Sequence, residues 1–124
     1  MFIKDLKNCA QFQAGDGSIL RELLNPLKEA IRVNYSLAHA LLRPGQATLD
    51  HRLLSAEVYY IIEGAGQMFI DEEQAEVSSG QAVYIPPGAV QRIRNTGQGD
   101  LVFLCIVDPA WRPEDEELVR GTAK

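Results

Sequence analysis

The chain is poor in the residues that carry the most recognisable chemistry, with two cysteines, two histidines and one tryptophan among 124 residues. Cys9 and Cys105 lie far apart, and no close cysteine pair of the kind that holds zinc or runs redox exchange is present. A structural disulfide is therefore not expected. Cys105 falls in the apolar run Leu101 to Val107, where a free thiol reads as a small buried hydrophobe. Basic residues are in the minority, 12 against 17 acidic ones for a net charge of −5, and they form no cluster that could track a phosphate backbone. Nucleic acid is not an expected partner. The longest apolar runs, such as Val58 to Ile62 and Leu101 to Val107, fall far short of the about 20 residues a spanning helix needs, so no membrane partner is expected. The amino-terminal stretch lacks the basic and apolar regions of a secretory signal, which points to a cytoplasmic protein.

What is present is the composition of an ordinary globular domain, 46% apolar and 23% charged, at a length that suits one domain spanning residues 1–124. Glycine, proline, asparagine and aspartate recur at short intervals, at Gly15 to Gly17, Asn25-Pro26, Pro44-Gly45, Gly64 to Gly66, Gly80, Pro86 to Gly88 and Asn95 to Asp100. The segments between them are strand-length and rich in Val, Ile, Tyr and Phe, the pattern of an all-β sandwich or barrel. Strands are predicted at about 31–43, 57–63, 66–71, 75–78, 82–86, 90–95 and 100–107, with the barrel core at about 31–108. The stretch 18–26 carries apolar residues that fit either a helical stripe or a strand, and its length favours the strand. Residues 112–119, with Pro113 at the start and acidic residues after it, read as a short C-terminal helix. Trp111 reads as its anchor, or as a residue closing one mouth of the barrel.

Two segments carry a resemblance to a known family. Gly45, His51, Glu57 and Gly64 in the first, and Gly80, Pro86, Gly88 and Asn95 in the second, fall at the spacings of the two motifs of the cupin superfamily. The resemblance implies a double-stranded β-helix, or jelly-roll, closed into a barrel, with segments 57–63 and 90–95 contributing facing inner residues. The glycines and the Pro86-Pro87-Gly88 unit suit sharp turns between strands.

In that family the two motifs supply three histidines and one glutamate to a divalent metal. Here His51 and Glu57 match, Leu53 replaces the second histidine, and Gln91 replaces the histidine of the second motif. Leu53 cannot bind a metal, and the amide oxygen of Gln91 is a weak ligand beside imidazole. Strand alternation puts Tyr35, Leu37, His39 and Leu41 on one face, so His39 joins the ligand set if that face is the inner one. The expected metal residues are thus His51, Glu57, Gln91 and His39, with Tyr59, Leu53 and Ile93 as pocket wall. Each has a plainer reading as a hydrogen-bonded or packed barrel residue. Arg43 and Arg52 could pair an anionic substrate but read more simply as surface residues.

Three classes of function stay open, because fold alone does not select among them. One is a protein that binds a divalent transition metal (Zn, Fe, Mn or Ni) and a small polar molecule, as in the isomerases and dioxygenases of the family. Another is a non-catalytic ligand-binding or sensing barrel in which the metal is weakly held or absent. A ligand-free assembly module is least favoured, since His51, Glu57 and Gln91 would then be buried without recompense. By analogy with the family, a homodimer is expected.

Overall fold

A computed structural model describes residues 1–119. The strands in chain order are β1 (Phe12–Gln13), β2 (Ile19–Leu24), β3 (Ser36–Leu42), β4 (His51–Leu53), β5 (Ala56–Glu63), β6 (Ala65–Ile70), β7 (Glu73–Ser78), β8 (Ala82–Ile85), β9 (Gln91–Asn95), β10 (Leu101–Asp108) and β11 (Glu116–Leu118). They form two antiparallel sheets, ordered β1-β2-β3-β10-β5-β8 and β11-β4-β9-β6-β7. Six of the seven predicted strands appear within two residues of their expected bounds, the strand expected from about 31 begins only at Ser36, and 18–26 contains the strand β2. No helix among the described residues is long and apolar enough to cross a membrane.

Two expectations need correction. The sheets do not close into one hydrogen-bonded barrel: they are separate six- and five-stranded layers that enclose a common core. Among the described residues the expected C-terminal helix at 112–119 is also absent. Pro113–Asp115 makes a single 3-10 turn, and Glu116–Leu118 then pairs antiparallel with His51–Leu53. The segment offers a helix few residues to bury, and Leu118 remains 47% exposed even in the strand. So short a helix is marginal, whereas the open edge of β4 supplies ladder partners.

Side chains alternate as a half-buried sheet requires. On β10, Leu101, Phe103, Cys105 and Val107 point inward, and on β5 the inward set is Glu57, Tyr59 and Ile61. The apolar core gathers Ala40, Leu42, Ile61, Met68, Ile93, Leu101 and Phe103. The β5–β6 turn depends on Gly64, whose φ is +92° and where a Cβ would lie 2.5 Å from the carbonyl oxygen of Asp100. Asn95 ties the far end together. Its amide donates to the carbonyls of Leu42 and Gly99, and its oxygen accepts from the Gly97 N–H.

Candidate functional site

Between the sheets, at the end opposite Asn95, lies a cavity of about 260 Å³. Its walls come from β2, β3, β4, β5 and β10, and two short segments from near the chain ends, around 12–16 and 111–116, border it.

Three potential metal donors converge there. Asp16, His51 and Glu116 each offer one ligand atom, all within 4.8 Å of one another. His51 stands on β4 at 2% exposure, with Nδ1 2.7 Å from the carbonyl oxygen of Leu49 and Nε2 3.4 Å from Asp16 Oδ2. The carbonyl can only accept, so Nδ1 carries the hydrogen. On a neutral ring the Nε2 lone pair then faces a carboxylate oxygen, an arrangement that a cation between them would relieve. Asp16 is held by a tight turn in which its Oδ1 accepts from Ser18 N–H at 2.9 Å and from Ser18 Oγ at 2.7 Å. Gly17, at φ +97°, makes that turn possible. Glu116 Oε1 accepts from the indole N–H of Trp111 at 3.0 Å. Two carboxylates and one imidazole are a suitable donor set for Mn, Fe or Zn.

A second polar group lies beside the first. Tyr59 donates its hydroxyl to Gln91 Oε1 at 2.8 Å, and Gln91 Nε2 donates to Glu57 Oε1 at 2.9 Å. The amide thus turns its oxygen to Tyr59 and its nitrogen to Glu57. Burial, aided by the negative charges of Asp16 and Glu116 and opposed by the Gln91 hydrogen bond, pushes the Glu57 carboxyl up to about 8. Glu57 is therefore protonated at neutral pH. Burial also raises the Cys105 thiol, so this cavity-lining cysteine is a packed thiol and not a nucleophile.

The expected site residues separate into three sets. His51, Leu53, Glu57 and Tyr59 line the cavity, and Gln91 is packed behind Glu57 and Tyr59. Ile93 lies in the apolar core and not in the pocket wall. His39 is on the wrong face: β3 turns Ser36, Ala38, Ala40 and Leu42 inward, leaving His39 beside Arg21 of β2 and Leu104 of β10. Burial and the charge of Arg21 hold its imidazole below the usual histidine range. Arg43 and Arg52 pair with Asp100 and Glu117 at the surface. Asp16, Glu116 and Trp111 are the functional residues that the motifs do not reveal. Gly15-Asp16-Gly17 signals a turn, but nothing local tells where the turn docks.

A family model described as a cupin domain matches residues 38–107. An uncharacterised protein of Methanocaldococcus jannaschii is 44% identical over 105 residues, covering 84% of this chain and 83% of that protein. The nucleoside dehydratase Pac13 of Streptomyces superposes with a TM-score of 0.78 at 16% identity, over 97% of this chain and 92% of that one. A predicted oxalate decarboxylase of Thermotoga maritima gives 0.76 at 22% identity, over 87% and 99%. Likeness at these identities to the solved structures is likeness of fold.

Proposed function

The chain belongs to the cupin family, and on that premise we propose that it binds a small polar molecule in the cavity between its two sheets, beside a divalent metal held by Asp16, His51 and Glu116. The observation that carries this reading is the convergence of those three donors on the cavity. His51 is the motif histidine. Asp16 and Glu116 lie outside the family match of residues 38–107 and stand in for the imidazoles lost at Leu53 and Gln91.

A metal at these residues would supply Lewis acidity toward an oxygen of the bound molecule. The chain's own groups supply the rest. Burial favours the protonated form of Glu57, and the Gln91 amide occupies its Oε1, which leaves the other oxygen to act on the cavity. Tyr59 and Gln91 position Glu57, and Leu53 and Phe103 exclude water from one side. A placed acid beside a polarised oxygen suits isomerisation or elimination, and loss of water is the activity for which Pac13 is named.

The rival reading is a metal-free binding barrel, favoured by the replacement of two family donors at Leu53 and Gln91. Titrating Mn²⁺ or Zn²⁺ into chelator-stripped, untagged protein separates the two. About one equivalent is expected to bind, His51→Ala to abolish uptake, and Leu53→His to tighten it by adding an imidazole to the cavity wall. Wild-type uptake no greater than that of His51→Ala overturns the metal reading.

A homodimer is also part of this proposal. The outer face of the six-stranded sheet carries continuous apolar rows, with Leu37, Ile106, Val58 and Tyr84 paired side by side across four strands. Tyr84 is 62% exposed and Tyr60 42%. A patch of this kind suits a self-complementary contact, and light scattering at micromolar concentration should return twice the chain mass.

A further inference from the structure

We propose that the cavity selects its occupant by charge and hydrogen-bond polarity, taking an uncharged or cationic ring-sized molecule that brings its own donors, and rejecting carboxylates and phosphates. The inference rests on the cavity being the binding site but not on the metal. Among the described residues no lysine or arginine lines the cavity, whereas Asp16, Glu22, Glu57 and Glu116 all do. The nearby cation Lys28 is committed: its Nζ is 2.6 Å from Glu22 Oε1 and stands 6.0 Å from the centroid of the Trp111 ring.

Most of the side-chain donors around the cavity are spent on the protein itself. The Trp111 indole N–H goes to Glu116, the Tyr59 hydroxyl to Gln91, the Gln91 amide to Glu57, and the Ser18 N–H and hydroxyl to Asp16. The Gly17 N–H of the same turn donates to the Ala14 carbonyl, and the Leu49 N–H to that of Asp16. The carboxylate oxygens of Asp16, Glu22 and Glu116 outnumber the donors left over, the hydroxyl hydrogens of Ser36 and of protonated Glu57, and they call for hydroxyl, amide or ammonium donors.

The charge balance points the same way with or without metal. A divalent ion among the carboxyl groups of Asp16 and Glu116 would be balanced by them, and without it they face the cavity beside the single imidazole of His51. Ionisation of Glu57 would only add to the negative side. A buried anion would thus enter a low-dielectric site with no uncompensated positive charge to meet it. Size and shape narrow the class further. A volume of about 260 Å³, at about 30 Å³ for each water's share, corresponds to roughly nine waters. Phe12, Phe103, Tyr59 and Trp111 offer aromatic surface to the ring of the occupant.

The test uses three phenols alike in size and different in charge: 4-(2-hydroxyethyl)phenol, tyramine and 4-hydroxyphenylacetate. Each is titrated against the full chain by calorimetry, once in chelator and once with Zn²⁺. The neutral and cationic members are expected to bind at least about tenfold more tightly than the carboxylate. The Asp16→Asn, Glu116→Gln double variant should cut the tyramine-to-carboxylate ratio several-fold, and its melting curve reports whether it is folded. Carboxylate binding as tight as that of the neutral phenol, or no binding by any member, overturns the proposal. If Zn²⁺ fails to bind while the charge preference persists, the metal reading falls and the selectivity stands.

Discussion

The inward side chains at one end of the sandwich are Leu42, Ile61, Ile93 and Leu101, closed off by the hydrogen-bonded Asn95; at the other end of the same four strands they are Ser36, Glu57, Gln91 and Val107. Register bears out the division, since Leu101 pairs with Leu42 while Val107 pairs with both Ser36 and Glu57. One half of the interior is thus filled by interlocking apolar groups. The other is stabilised by hydrogen bonds around a void. The same backbone therefore supports two regimes of energetics, packing at one end and polar satisfaction at the other.

Packing substitutions should test that division most strongly. Ile61 is fully buried, so Ile61→Ala is expected to cost about 3–4 kcal/mol, within the usual range for opening a cavity in a tight core. Leu53 borders the existing void, and Leu53→Ala should cost less than half as much. Urea unfolding of both variants measures the difference. Equal losses would mean that the pocket end is packed as tightly as the core end.

The polar half should reveal itself through pH. The folded-state value for Glu57, about 8, lies above its ordinary 4.5, so the folded protein binds this proton more tightly than the unfolded chain. The stabilisation is complete below pH 4.5 and is lost as pH rises toward 8, amounting to a few kcal/mol. His39 acts in the opposite sense, because its lowered value makes the folded state gain as pH rises through 6.5. In chelator, the urea midpoint of the parent should fall between pH 5 and pH 8.5, and Glu57→Gln should remove that fall. A parent profile that is flat, or that rises, would show Glu57 to be ionised throughout.

The two halves are also unequally legible in the sequence. Strand lengths, turn positions and the two motifs locate β3 and β5 to β10 on their own, because alternation and turn chemistry are local. The face of β3 is not decidable in that way. Leu37 and Leu41 on the outer side are as apolar as Ala40 and Leu42 on the inner, so periodicity alone does not say which way His39 points. Asp16 and Glu116 are illegible for a different reason. They reach the cavity only because β1 and β11 take edge positions in opposite sheets, and edge pairing depends on which strand ends are free. The acidic run after Pro113 matches a helix start, yet the tertiary alternative, a ladder with β4, prevails.

The smallest expected effect probes the join between the halves. The Tyr59 ring packs against Phe103, with centroids 4.6 Å apart and planes at 44°, while its hydroxyl donates into the polar network. Tyr59→Phe keeps the ring contact and removes the donor, leaving Gln91 Oε1 buried without it. The cost should be about 1 kcal/mol, the ordinary net worth of one hydrogen bond. A secondary consequence is more diagnostic. With Tyr59 gone as the group that fixes the amide, Gln91 is free to turn its oxygen toward Glu57, and the bond that now favours the ionised carboxylate becomes one that favours the protonated acid. The pH at which Tyr59→Phe loses stability should therefore lie above that of the parent, while Gln91→Leu, which removes the donor outright, should shift it in the same direction. If Tyr59→Phe loses stability equally at every pH, the hydroxyl contributes one hydrogen bond without orienting the amide, and Gln91 is oriented by Glu57 alone.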